Sequence, residues 1–231
     1  MTYLSPRPLA THDFYGPIHK GLRFAMTQLL VRLGCADTRD GAGLAQLMAD
    51  VRALLDLSAH HLENEDLHVH AALEARAPGA SLRLMQAHDH HRLSFEEIEV
   101  LTRQVDRAHP DDRPQMLRRL YLRFSEFVAD DLAHMAEEEQ VILPVLQSLF
   151  TDAELQRIED RIMSGLTPED MIGFGRILIP AANREERIAL LSAVRANAPA
   201  PAFEAILTLS AKPTLSDADW SHLAAGLGVA A

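Results

Sequence analysis

Two short segments of this 231-residue chain set a histidine four residues ahead of a glutamate: His61-Leu62-Glu63-Asn64-Glu65 and His134-Met135-Ala136-Glu137-Glu138. On an α-helix, residues i and i+4 lie one above the other on a single face. Each segment therefore aims one imidazole and one carboxylate at a common point. That donor pair suits iron and manganese, and imidazole also suits zinc. Two such pairs on facing helices are a way to hold two metal ions inside a helical bundle.

The elements that must position these pairs are readable from breakers and caps. The pattern predicts helices over 14–33, 44–76, 81–108 and 113–150. They are separated by Gly34 with the turn chemistry of 37–43, by Pro78-Gly79, and by His109-Pro110-Asp111-Asp112. Pro114 suits a first helical turn, whereas Pro144 should kink the fourth helix or end its regular part. Four long helices with short connections predict an all-α fold, an antiparallel up-down-up-down four-helix bundle over residues 12–150. Residues 151–231 repeat helix-start signals at Thr151, Thr167, Asn183 and Ser216, which predicts a C-terminal set of about five short helices packed on the bundle or mediating association.

Each long helix carries an apolar stripe at spacing 3 or 4, and each stripe is interrupted by ligand-type residues. The stripe of the second helix reads Leu47, Val51, Leu54, Ser58, His61, Glu65, His68, Ala72. The fourth reads Leu117, Leu120, Phe124, Phe127, Asp131, His134, Glu138, Val141, Val145. His19 interrupts the first helix between Tyr15 and Leu22; His88 and His91 interrupt the third between Leu84 and Phe95. Counted from the connecting loops, these interruptions agree in height to about one helical turn. They meet in one layer. A buried carboxylate costs several kcal/mol unless paired, and no Lys or Arg shares these stripes, so a cation is the economical partner.

These residues resemble the hemerythrin-like, or HHE cation-binding, domain over roughly residues 12–150. The carriers are Ile18-His19-Lys20, His61 through Asp66, Ala87-His88, and His134 through Glu139 followed by Leu143-Pro144. The resemblance implies a non-heme di-iron centre, with manganese or zinc as alternatives. His19, His61, His88 and His134 would be terminal ligands, and Glu65 and Glu138 would bridge the two ions. Oxygen-carrying hemerythrins place a second histidine four residues along the third helix, where this chain has Arg92. His91 is the nearest substitute. That departure favours the group whose roles are sensing of dioxygen, nitric oxide or iron, and iron handling. The alternative is a di-iron enzyme, or an iron-handling or repair protein, working by oxygen or peroxide chemistry or iron donation. A structural zinc or manganese site is a weaker third reading.

Composition narrows the partners. A formal net charge of −11 argues against nucleic acid or an anionic membrane surface. Cys35, the single cysteine, excludes an internal disulfide framework and multi-thiolate metal sites. No leader-like apolar run opens the chain and no run is long enough to span a membrane, so a cytoplasmic protein is expected. The expected partner is a small diatomic ligand or a metal ion, with the tail as reporter or homodimer surface. Of the remaining histidines, His12, His60, His70, His90, His109 and His222 read as surface residues, while His68 and His91 read as pocket lining. Glu63, Glu137 and Glu139 read as solvated flanks, and Asp66, Asp89 and Asp131 as acceptors for ring nitrogens turned away from metal.

Overall fold

The computed structural model describes residues 10–230; the first nine residues, on which the reading of a missing leader rests, and Ala231 lie outside them. Every element among the described residues is helical, and none is long and apolar enough to cross a membrane. Helix α1 spans Tyr15–Cys35, and Asp13 caps it by accepting the backbone N–H groups of Tyr15 and Gly16 at 3.0 and 2.9 Å. Helix α2 spans Gly41–Asn64 under an Asp40 cap. A π-helical turn, Glu65–His70, then passes into α3, Ala71–Arg76. Helix α4 spans Leu82–Arg107 and α5 spans Arg113–Glu137. A second π turn, Glu138–Ile142, leads to α6, Leu143–Leu149.

The two π turns correct the expected stripes. Each begins at the glutamate of a His-x-x-x-Glu pair. A π turn closes an i→i+5 bond, as when Leu143 donates its N–H to the Glu138 carbonyl, and so holds one residue more than an α turn. Everything beyond it rotates by one position. Val69, His70 and Leu73 are buried where His68 and Ala72 were expected; Ile142 and Leu146 are buried where Val141 and Val145 were expected. Pro144, which lacks an N–H, follows directly after the second π turn, so the irregularity it demands is already there.

α1 packs on α2 and α5, and α4 packs on the same two helices, so the four long helices close a ring. Two apolar clusters fill it. One holds Leu22, Met26, Val51, Leu54, Phe95, Phe124 and Phe127. The other holds Phe14, Tyr15, Val69, Leu73, Leu84, Ile142 and Leu146. His19 falls between Tyr15 of one cluster and Leu22 of the other, His88 and His91 between Leu84 and Phe95, Glu65 between Leu62 and Val69, and Glu138 between Met135 and Ile142, so the polar layer has hydrocarbon on both sides.

Residues 152–227 form five helical stretches. They are α7 (Asp152–Gly165), α8 (Pro168–Ala181), α9 (Arg184–Asn197), α10 (Ala200–Ile206) running through a third π turn (Leu207–Ala211) into α11 (Lys212–Thr214), and α12 (Asp217–Leu227). Thr151 with Glu154, Thr167 with Asp170, and Asn183 with Glu186 form reciprocal capping boxes. These helices bury a third apolar cluster around Ile179, Leu191, Phe203 and Leu223. α8 rests on α1 across Gly21, where an added Cβ would lie 3.1 Å from Leu178 Cδ2 and 3.3 Å from the Ile177 carbonyl carbon. Lys20–Glu186 at 2.5 Å and His60–Asp170 at 2.9 Å tie the same helices to the helices that carry His19 and His61.

Candidate metal centre

All six residues singled out as ligands converge in the polar layer. Glu65, His88, His134 and Glu138 place four donor atoms within 4.8 Å of one another, and His19, His61 and Glu65 form a second such group. The two groups share Glu65, and the orientation of the carboxylates makes them two halves of one cage. Glu65 Oε1 faces His61 Nε2 at 3.2 Å and His19 Nε2 at 3.7 Å, while its Oε2 faces His88 Nε2 at 3.5 Å. Glu138 Oε2 faces His19 Nε2 at 3.3 Å; its Oε1 faces His134 Nε2 at 3.5 Å and His88 Nε2 at 3.9 Å. Each carboxylate thus sends one oxygen to each histidine pair. The pairs themselves are packed alike, edge to face, with ring centroids 5.3 Å apart for His19–His61 and 4.8 Å for His88–His134.

Outside the cage the same plan appears twice. The residue after each glutamate reaches across to the histidine of a neighbouring helix. Asp66 accepts from His88 Nδ1 at 2.8 Å, and Glu139 faces His19 Nδ1 at 3.0 Å. An arginine four residues beyond that histidine holds the carboxylate: Arg92 donates to Asp66, and Arg23 donates to Glu139 through two bonds of 2.5 and 3.0 Å. Carboxylate partners of this kind fix the tautomer of a ligating imidazole. With the protons on Nδ1, His19 Nε2 turns its lone pair toward carboxylate oxygens, and His88 Nε2 faces His134 Nε2 at 3.0 Å with the carboxylate oxygens beyond it. Lone pairs facing ionised carboxylates at 3.3–3.9 Å repel unless a proton or a metal cation lies between them.

The electrostatics agree with that geometry. Burial, and then the neighbouring carboxylates, push the Glu65 and Glu138 acids well above the ordinary range. Burial pulls His19 down to about 3, with Arg23 adding to it; it pulls His88 to about 4 and His134 to about 2, where the other histidines contribute. His61 is lowered for the same reasons. Neither Glu65 oxygen, neither Glu138 oxygen, nor His19 Nε2 has a hydrogen-bond partner. Orphaned buried acceptors on neutral imidazoles and carboxylates fit a metal pair as donor set. Side-chain exposure at the six positions runs from 0 to 11%, with His61 the most accessible.

Several residues lie elsewhere than the sequence patterns suggested. His70 is buried, not superficial: the π turn swings it inward, where its ring lies 4.8 Å from His88 and its Nδ1 is 2.9 Å from Asp66. His68 is only half-buried. Glu139 is not a solvated flank but the partner of His19. Asp89 is exposed and pairs with Arg92, so of the three proposed acceptors Asp66 alone bonds a cage histidine. Asp131 instead sits 3.4 Å from His91 Nδ1, and His91 packs edge to face on His134 at 5.0 Å. No arrangement of stripes could flag Arg23 or Arg92; their repeated position four residues after a ligand histidine is the one signal the residue order carries for them. Comparison with family models, with curated proteins and with solved structures returns no match.

Proposed function

We propose that this chain is a hemerythrin-like protein. In this reading residues 12–150 are an antiparallel four-helix bundle whose cage holds two iron ions, and the cage binds or senses dioxygen, nitric oxide or iron. The observation that carries it is the orientation of the two carboxylates, each offering one oxygen to each histidine pair. Two carboxylates shared in this way are a donor set that would suit a pair of metal ions. His19, His61, Glu65 and Glu138 would hold one ion, and His88, His134 and the same glutamates the other. Bound iron supplies redox-active electrons and an open coordination position, since four protein donors leave an octahedral ion unsaturated.

The protein's own residues do the rest. Asp66 and Glu139 orient His88 and His19 and keep their protons on the outward nitrogens. Apolar clusters on both sides keep bulk water away from the cage. The low exposure of all six ligands favours a diatomic ligand over a bulky organic substrate. Metal analysis with absorption spectroscopy on anaerobically purified, iron-replete protein tests the reading. About two iron ions per chain are expected, and fewer than about one overturns the di-iron assignment.

A further inference from the structure

Tyr15 carries a polar atom that the cage ligands do not use. Its side chain is completely buried, and its hydroxyl has no hydrogen-bond partner. The ring stacks on His19, with centroids 5.1 Å apart and planes 26° from parallel. Its other surroundings are Phe14, Val69, Leu73, Leu84 and Ile142, an apolar cluster in which phenylalanine would pack without stranding a donor. Burial, with Glu138, Glu65 and Asp13 adding to it, raises the phenol's pKa. The equivalent position in the other half, four residues before His88, is Leu84. A fully buried donor without an acceptor, on a ring stacked against a cage histidine, is placed to serve a molecule that arrives there.

We propose that the Tyr15 hydroxyl is the hydrogen-bond donor to a small anionic or diatomic ligand held on the His19 side of the cage. The assignment rests on the metal-cage reading, deepens it by naming the half that takes the ligand, and makes Tyr15 a positioning residue for that ligand. The hydroxyl keeps its proton. It does not ligate the metal.

Azide binding to the ferric, iron-loaded full-length chain tests this, comparing wild type with Tyr15→Phe. The two proteins should hold the same iron, and Tyr15→Phe should bind azide about tenfold more weakly, chiefly through faster release. Unchanged azide affinity in the variant overturns the proposal. So does loss of iron in the variant alone, which would assign the hydroxyl to holding Glu138. A phenolate-to-iron absorption band present in wild type and missing from Tyr15→Phe overturns it as well, because Tyr15 would then be a ligand. Wild-type protein gives an independent reading should the variant misfold: the infrared stretch of bound azide should shift in deuterium oxide, and no shift overturns the proposal. Absence of iron from wild type fails the cage reading itself, a result distinguishable from all of these.

Discussion

Around His19 the ring leans on Glu139, and Glu139 on Arg23; around His88 the ring leans on Asp66, and Asp66 on Arg92. The two halves of the cage therefore share ligands, packing and supporting ion pairs. Their surroundings diverge a layer further out. Tyr15 flanks the first half where Leu84 flanks the second. His91 and Asp131 flank the second half where Leu22 and Ser58 flank the first, each three residues from its cage histidine. On the proposed function, the common plan is what holding two ions would ask, with two imidazoles and two carboxylate oxygens for each. The differences are free of that demand, so they are where the two halves can acquire different tasks.

The common plan is most vulnerable at the shared carboxylates. Glu138→Ala and Glu65→Ala should each lower iron binding at both halves by roughly a hundredfold or more, the scale of losing a buried charge partner. Retention of one tightly held ion in either variant would refute the sharing of oxygens between halves. Next in size come His61→Ala and His134→Ala, each of which should leave about one ion per chain, at opposite halves. Complete metal loss in both would show that the halves fill only together.

Smaller effects separate the halves more finely. Arg23→Ala and Arg92→Ala release Glu139 and Asp66, and each should weaken metal binding roughly 10–100-fold. Equal losses in a chelator competition would show that the two supports are interchangeable; unequal losses would rank the halves. Asp131 gives the least effect, and only in metal-free protein. Burial raises its acid to about 7, against Arg23, so the folded state binds the proton more tightly than the unfolded chain. Its contribution is present below the ordinary value of 3.8 and lost as pH rises through about 7. The histidines run the other way: with folded values of about 3, 4 and 2 at His19, His88 and His134, their contribution is present above 6.5 and lost as pH falls below it. Asp131→Asn should therefore leave the acid limb unchanged and raise metal-free stability above pH 7 by a few kcal/mol in denaturant titrations. An unchanged alkaline limb would remove Asp131 from the account.

The all-helical fold, the short connections and the six ligand-type positions were legible in the residue pattern, because helical period and hydrocarbon burial are local rules. A histidine in an apolar stripe faces the core as long as the helix keeps its α period, as His19, His88 and His134 do. The capping boxes of the C-terminal helices were equally local. Other features were not. The π turns at Glu65 and Glu138 have no fixed sequence signature, so the exchange of His68 for His70 and of Val141 for Ile142 appeared only in the folded backbone. Asp66 was named as an acceptor for a ring nitrogen, but Glu139, Arg23 and Arg92 are polar residues outside the stripes, and periodicity reads such residues as solvent-facing. Which carboxylate oxygen faces which imidazole, which histidine leans on which acid, and that Tyr15 is left with an unused hydroxyl depend on distances between helices far apart in the chain. Residue order was enough to say which donors enter the core and at what height. How those donors pair, and where the two halves differ, came from packing alone, because such relations are made between helices and not along them.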